Sequence, residues 1–175
     1  MSSGYLKMKY ILSILLLTLG STLNFAQTDS LKVIVFLSET CPICKSTTPE
    51  LRKLYDEFSS KGVEFIGVFP SQTATNTGTR KAFAEKYKLP FSLIDDPLQV
   101  LTNQLSAQIT PEVFVINKKN NLLIYRGLID NSYIRVGKRR SITTEFYLRN
   151  ALEQFFAGHV EQIKSTEAVG CIIQK

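Results

Sequence analysis

A chain of 175 residues with 21 Lys and Arg against 15 Asp and Glu carries a formal net charge of only +6. That excess is mild and dispersed, so a nucleic-acid partner is not expected. With no internal repeat and no low-complexity linker, the length suits one domain built on a single core.

Lys7 and Lys9 precede an apolar run, Tyr10 to Leu19, and small or polar residues then lead to Ala26, a cleavage point before Gln27. A basic start, a short apolar run and a cleavage region predict a signal peptide over residues 1–26. The run is short for a bilayer span, and an uncleaved membrane anchor is the alternative. Met8 offers a second start, and no cysteine follows the run to take a lipid. The expected domain is therefore residues 27–175, with a C-terminal extension after about residue 158, in a periplasmic or otherwise extracytoplasmic setting.

Val33 to Leu37 is a continuous apolar run and predicts a buried central strand. After it come Cys41-Pro42-Ile43-Cys44, then Leu51, Leu54, Tyr55 and Phe58 at helical spacing, closed by Lys61-Gly62. Val63 to Phe69 predicts a second strand and Ser71 to Thr79 a polar loop. A helix carrying Phe83, Ala84 and Tyr87 ends before Pro90, and Phe91 to Ile94 is a short strand. Asp95-Asp96-Pro97 opens a helix through Leu105, with an acidic N-cap and Pro at the first position. Val113 to Ile116 and Leu122 to Arg126, joined by a polar turn, predict an antiparallel hairpin. Thr143 to Phe156 supplies a last helix. Right-handed crossovers make the first two strands parallel, which gives a three-layer α/β/α sandwich with a mixed sheet.

Two cysteines at the junction of a strand and a helix form the geometry of a thiol–disulfide exchange centre. Unpaired N–H groups at the helix N-terminus, with Lys45 nearby, should lower the Cys41 pKa below the free-thiol value of about 8.5. Cys41 is the expected nucleophile, and Cys44, within the first turn, attacks the resulting mixed disulfide. Metal binding is the rival use of CxxC. Zinc needs four ligands, however, and only Cys171 and His159 remain, both far away in sequence. An inert closed disulfide is a further alternative, although so small a ring cross-links little chain. The expectation is no cofactor beyond a redox-active Cys41–Cys44 disulfide. Cys171 is left over, as an additional redox thiol, an inter-chain bridge or a packed small residue. Arg135 to Arg140 is a basic loop, read as solvated or as docking an acidic partner; His159 is read as a helix-end cap.

Ile109-Thr110-Pro111 leading into Val113 to Ile116, together with Cys41-Pro42-Ile43-Cys44 and the strand and helix around residues 63–87, carry a resemblance. The chain resembles thioredoxin-fold exported redoxins of the TlpA and ResA type and the related AhpC/TSA group. The resemblance covers about residues 31–128. It implies that Pro111 is the cis-proline facing the cysteines and leaves the Thr110 backbone free to pair with an extended substrate segment. Pro42 and Ile43 then tune the potential. Ile43 cannot stabilise a thiolate as a histidine there can, which implies a reductant or isomerase. Val35 stands where thioredoxin has a buried acid. Ser46, Thr47 and Thr48 fill the stretch where some relatives carry a glutamate, so the proton acceptor for Cys44 is unassigned; Glu39 is merely near in sequence.

The implied function is an exported thiol–disulfide oxidoreductase acting on disulfide- or thiol-bearing exported proteins, served by a membrane or periplasmic electron donor. The alternative is a peroxiredoxin-like thiol peroxidase using Cys41 with help from Arg126. Ser38 suits the peroxiredoxin pattern, whereas Ile34 stands where that pattern has a proline. A copper-delivery chaperone is a third reading. It suits the sequence less, since such proteins use a wider cysteine spacing and a histidine from a later loop.

Overall fold

The structure, a computed structural model, describes residues 30–70 and 77–174. The expected signal peptide and most of the polar loop at 71–79 lie outside the described residues. In chain order the first elements are strand β1 (Leu31–Phe36), helix α1 (Pro42–Phe58), β2 (Glu64–Phe69), α2 (Thr77–Tyr87), β3 (Ser92–Asp95) and α3 (Val100–Gln104). There follow β4 (Ile109–Thr110), β5 (Glu112–Asn117), β6 (Leu123–Gly127), β7 (Tyr133–Arg135), β8 (Lys138–Arg139), α4 (Tyr147–Phe156) and β9 (Cys171–Ile172).

The main sheet has the order β3-β2-β1-β5-β6. β1 runs parallel to β2 and antiparallel to β5, and β6 returns antiparallel beside β5. Because β1 is central, both of its faces are buried, which is why its sequence is apolar from Val33 onward, with half-buried Lys32 near its start. Leu31, Val33, Val35 and Leu37 join the larger core cluster beneath α1 and α4. Ile34 and Phe36 face the other way, toward Phe114 and the α3 side, where the Phe36 and Phe114 rings meet edge-on with centroids 5.6 Å apart.

Helix α1 begins with Cys41 as N-cap and Pro42 in the first turn, a position where the missing N–H costs nothing. Pro49 lies inside the helix and cannot donate to the Lys45 carbonyl; the Thr48 hydroxyl does so instead, at 2.9 Å. Ser46 and Thr47 likewise donate to the carbonyls of Ile43 and Cys44. The helix closes through a 3₁₀ turn at Ser59–Lys61 and Gly62 in the left-handed region (φ 87°), as the Lys61-Gly62 pair predicts. Arg149 of α4 reaches Glu57 and, at 3.2 Å, Glu50, both on α1. Those ion pairs tie the last helix to the one that carries the cysteines.

Four elements depart from expectation. Helix α3 starts at Val100 rather than after Asp96, because Asp96 and Pro97 are spent in a turn closed by Gln99 N–H to the Asp96 carbonyl (3.0 Å). Asp96 still caps the helix, but from a distance: its carboxylate accepts from Thr102 N–H (2.8 Å) and the Thr102 hydroxyl (2.7 Å). Helix α4 starts at Tyr147, not Thr143, because the Asn131 side chain takes the N–H groups of Thr144 and Glu145. The basic loop Arg135 to Arg140 is largely a hairpin, β7 with β8, and is exposed. The segment after α4 returns to the sheet and ends in β9, which pairs antiparallel with β4. No helix among the described residues is long and apolar enough to cross a membrane.

Asp96→Ala leaves the buried Thr102 hydroxyl and two helix N–H groups without their acceptor. The expected loss is about 2 kcal/mol of unfolding free energy, read as a lower urea midpoint at unchanged slope. An unchanged midpoint contradicts the distant cap.

Candidate active site

β1 delivers the chain to Ser38, and the loop Ser38 to Thr40 turns it so that Cys41 meets the first turn of α1. The Ser38 hydroxyl contacts that of Thr40 (2.9 Å), and Cys41 N–H donates to the Ser38 carbonyl (3.3 Å). Cys41 thus occupies the place that Ser, Thr or Asp usually takes at a helix start, with sulfur facing the N–H groups of Ile43 and Cys44. It is covered, at 1% exposure, and Cys44 is fully buried.

The opposite wall is the start of β5. The Thr110–Pro111 peptide bond is cis, as the family resemblance implies. The Cys41 thiol donates to the Thr110 carbonyl at 3.1 Å. Cys171 completes the group: its Sγ lies 2.7 Å from Cys41 Sγ, and its backbone pairs with Thr110 in the β9–β4 ladder. The sequence leaves the place of Cys171 open among several possibilities; the structure brings it to Cys41.

These neighbours divide the three thiols in acidity. Cys41 is lowered to about 5, chiefly by the Cys44 thiol, with burial opposing and Cys171 and the Cys44 and Ile43 N–H groups assisting. Cys44 is raised well above the thiol range by burial and then by the Cys41 bond and charge; Ser38 N–H, 3.4 Å from its sulfur, works against that rise. Cys171 is pushed up to about 11 by burial, the Cys41 bond and the Cys41 charge. The Thr110 carbonyl can accept only from a protonated Cys41. Ionisation therefore gives up that bond and keeps the donors on the other side. Lys45 is absent from the groups that lower Cys41; it serves through its backbone, whose N–H closes the first turn on the Cys41 carbonyl (3.3 Å).

Other sequence candidates fall elsewhere. Val35 is fully buried in the core that also holds Cys44 and offers no proton acceptor. Glu50 is held by Arg149, and Glu39 is a partly exposed residue beside the cavity. Arg126 does not attend Cys41. Its side chain lies over Phe114 (5.0 Å), on the other face of the sheet, bonded to Glu112 (2.7 Å) and the Ser106 carbonyl (2.8 Å). His159 is exposed beyond α4, its N–H on the Gln154 carbonyl. Among the described residues no group of three or more His, Cys, Asp or Glu side chains is placed to hold a metal ion. A cavity of about 370 Å³ opens between the Ser38–Thr40 loop and the β9 segment, lined in part by Leu37, Pro70, Thr110 and Ile173.

A mixed five-stranded sheet, a dithiol at a helix N-terminus and a facing cis-proline define a thioredoxin-like fold. The chain belongs to the AhpC/TSA family, whose model matches residues 18–124. Among curated relatives, it is 30% identical over 79 residues to peroxiredoxin Q, chloroplastic, of Populus jackii, covering 44% of this chain and 35% of that one. It is 26% identical over 88 residues to the thiol-disulfide oxidoreductase ResA of Halalkalibacterium halodurans, covering 50% and 48%. The matched stretch thus spans between a third and a half of those relatives. An uncharacterized conserved protein from Geobacillus kaustophilus superposes with a TM-score of 0.73 at 25% identity, covering 84% of this chain and 78% of that one. The thioredoxin domain of a thiol-disulfide oxidoreductase from Bacteroides vulgatus, at 17% identity, shares the fold with a TM-score of 0.53, covering 73% and 80%.

Titration of the reduced protein, followed by ultraviolet thiolate absorbance, is expected to show one thiolate forming as pH rises through about 5. In Cys44→Ala the midpoint moves upward, since the largest lowering contact is gone; Cys171→Ser moves it upward by less. A midpoint unmoved in Cys44→Ala contradicts the assigned cause.

Proposed function

We propose that the protein is an extracytoplasmic thiol–disulfide oxidoreductase that exchanges the Cys41–Cys44 dithiol with protein disulfides. The observation that carries this reading is the opposed acidity of Cys41 and Cys44 beside the Thr110–Pro111 edge. A thiolate is ready to attack while its partner stays protonated until needed. The location rests on the leader-like pattern of residues 1–26.

The Cys41 thiolate attacks one sulfur of a substrate disulfide, and the other sulfur leaves as a thiolate that takes a proton from solvent. Once Cys41 is bound in the mixed disulfide its charge is gone, and with it two of the influences that hold the Cys44 proton. Cys44 then attacks Cys41 Sγ, and its proton goes to the departing substrate thiolate. The products are reduced substrate and a Cys41–Cys44 disulfide, which an external dithiol donor must reduce for another cycle. No carboxylate is needed as a relay in this scheme, which accounts for Val35 in the core.

A thiol near 5 lies between the values typical of thioredoxin, about 7, and a strong oxidant, about 3.5. Stabilising the thiolate stabilises the reduced form and raises the potential. This favours an isomerase-like poise over a strong reductant. A peroxidase remains the second reading, on the similarity to peroxiredoxin Q. Against it stand Arg126 on the wrong face of the sheet and Ile34 in place of proline.

The expected potential of the Cys41–Cys44 couple lies between about −270 and −120 mV. Insulin reduction with a dithiol donor should be lost in Cys41→Ser, while Cys44→Ser combined with Cys171→Ser accumulates mixed disulfides. Rapid peroxide turnover without insulin reduction would sink this reading in favour of the peroxidase.

A further inference from the structure

The segment after α4 is seated on the sheet by specific contacts at both ends. Near its start, Thr166 N–H donates to the Arg126 carbonyl (2.9 Å), and the Thr166 hydroxyl meets Tyr125 OH (2.8 Å) and accepts from Leu128 N–H (2.9 Å). Near its end, Ile173 N–H donates to the Gln108 carbonyl (2.9 Å), and the Ile173 side chain is buried with Ala107 and Phe114. The Gln99 amide, itself buried, donates to the carbonyls of Gln174 and Pro70. Between these anchors Cys171 pairs with Thr110, and Ile172 with Ile109. A Cβ on Gly170 would collide with the Thr110 carbonyl, so only glycine lets the strand come this close.

That seat is the backbone edge on which, in the function proposed above, an outside segment would dock as an added strand. The chain's own Cys171 sulfur lies where a substrate sulfur would meet Cys41. We infer that β9 is an internal substrate strand and that Cys171 is a second resolving thiol, able to release substrate from Cys41 ahead of Cys44. This rests on the Cys41 chemistry proposed above.

The steps balance without an added oxidant. Cys171 attacks Cys41 Sγ of the mixed disulfide, the Cys41–substrate bond breaks, and the substrate leaves as a thiol carrying the Cys171 proton. The new Cys41–Cys171 disulfide is then attacked at Cys41 by Cys44. Cys171 takes up the Cys44 proton and returns to the thiol form, leaving the Cys41–Cys44 disulfide. Strand and sulfur act together. As β9 regains the β4 edge it displaces the substrate segment from the ladder, and the same movement carries Cys171 to the bond that must break.

The test uses the full chain with Cys44→Ser, reduced and then treated with oxidised glutathione. Cys41 should acquire glutathione and then lose it in a first-order process independent of protein concentration, and mass spectrometry should find a Cys41–Cys171 cross-link. In Cys44→Ser with Cys171→Ser the glutathione adduct should persist. Adding Gly170→Val to Cys44→Ser keeps the thiol but spoils the seat, and should slow glutathione release at least about tenfold. A stable adduct in Cys44→Ser overturns the inference while leaving the Cys41 chemistry standing, as does release unaffected by Gly170→Val. Failure of Cys41 to take up glutathione in every variant overturns both.

Discussion

One sulfur atom sits under three claims. Cys41 Sγ receives the Cys44 thiol from within its own helix, faces the Thr110 carbonyl across the sheet edge, and meets Cys171 from the returning segment. The site's remaining properties follow from how these claims compete. The donors favour the thiolate and the carbonyl favours the thiol. At the pKa of about 5 the donors prevail. Burial first, and then the bond to Cys41 and its negative charge, keep protons on the other two sulfurs. In the proposed cycle a mixed disulfide removes the Cys41 charge and weakens the hold on both partner protons, while burial continues to favour them.

Such a balance needs a rigid frame, because a hydrogen bond to sulfur changes steeply with distance and angle. The frame comes from β1 and β5, which lie side by side in the sheet and deliver Cys41 and Thr110 to the same end. The first turn of α1 is held by a set of short-range devices rather than by a long run of favourable residues. Pro42 presets the entry, three hydroxyls bond back to carbonyls one turn earlier, and Thr48 replaces the bond that Pro49 cannot make. The Arg149 pairs with Glu50 and Glu57 then lock the outer part of the same helix to α4. Ser46, Thr47 and Thr48 thus do backbone work in this stretch.

What was legible in the sequence is what local pattern encodes. The continuous apolar run of β1, the Cys41-Pro42-Ile43-Cys44 junction, the Lys61-Gly62 stop and the Thr110-Pro111 entry to the hairpin each carry their own physical signature. The misplaced helix starts have a common cause. At α3, Asp96 reaches over an intervening turn to take helix N–H groups; at α4, Asn131, from before the β7–β8 hairpin, takes the N–H groups of Thr144 and Glu145 ahead of the helix. The role of β9 was illegible for another reason. A two-residue strand has no period, and its seat depends on Gln99, Gly170 and Thr166, which come together only after the fold is complete. The nearest sequence clue was the apolar Val169-Gly170-Cys171-Ile172-Ile173 after a polar stretch.

In the proposed function the β4 edge bears on which substrate segment fits. Left bare, it would offer unpaired backbone groups for indiscriminate strand addition. With β9 in place those groups are already satisfied, so an incoming segment exchanges one set of backbone hydrogen bonds for another and gains little from the ladder itself. Under that proposal, discrimination falls on the side chains at the seat. The position of Gly170 admits little beyond hydrogen against the Thr110 carbonyl, and that of Ile173 is an apolar hollow beside Ala107 and Phe114. A segment with a small residue before its cysteine and an aliphatic residue two positions after it matches this seat. A bulky residue before the cysteine meets the wall that already forces glycine on the chain's own strand.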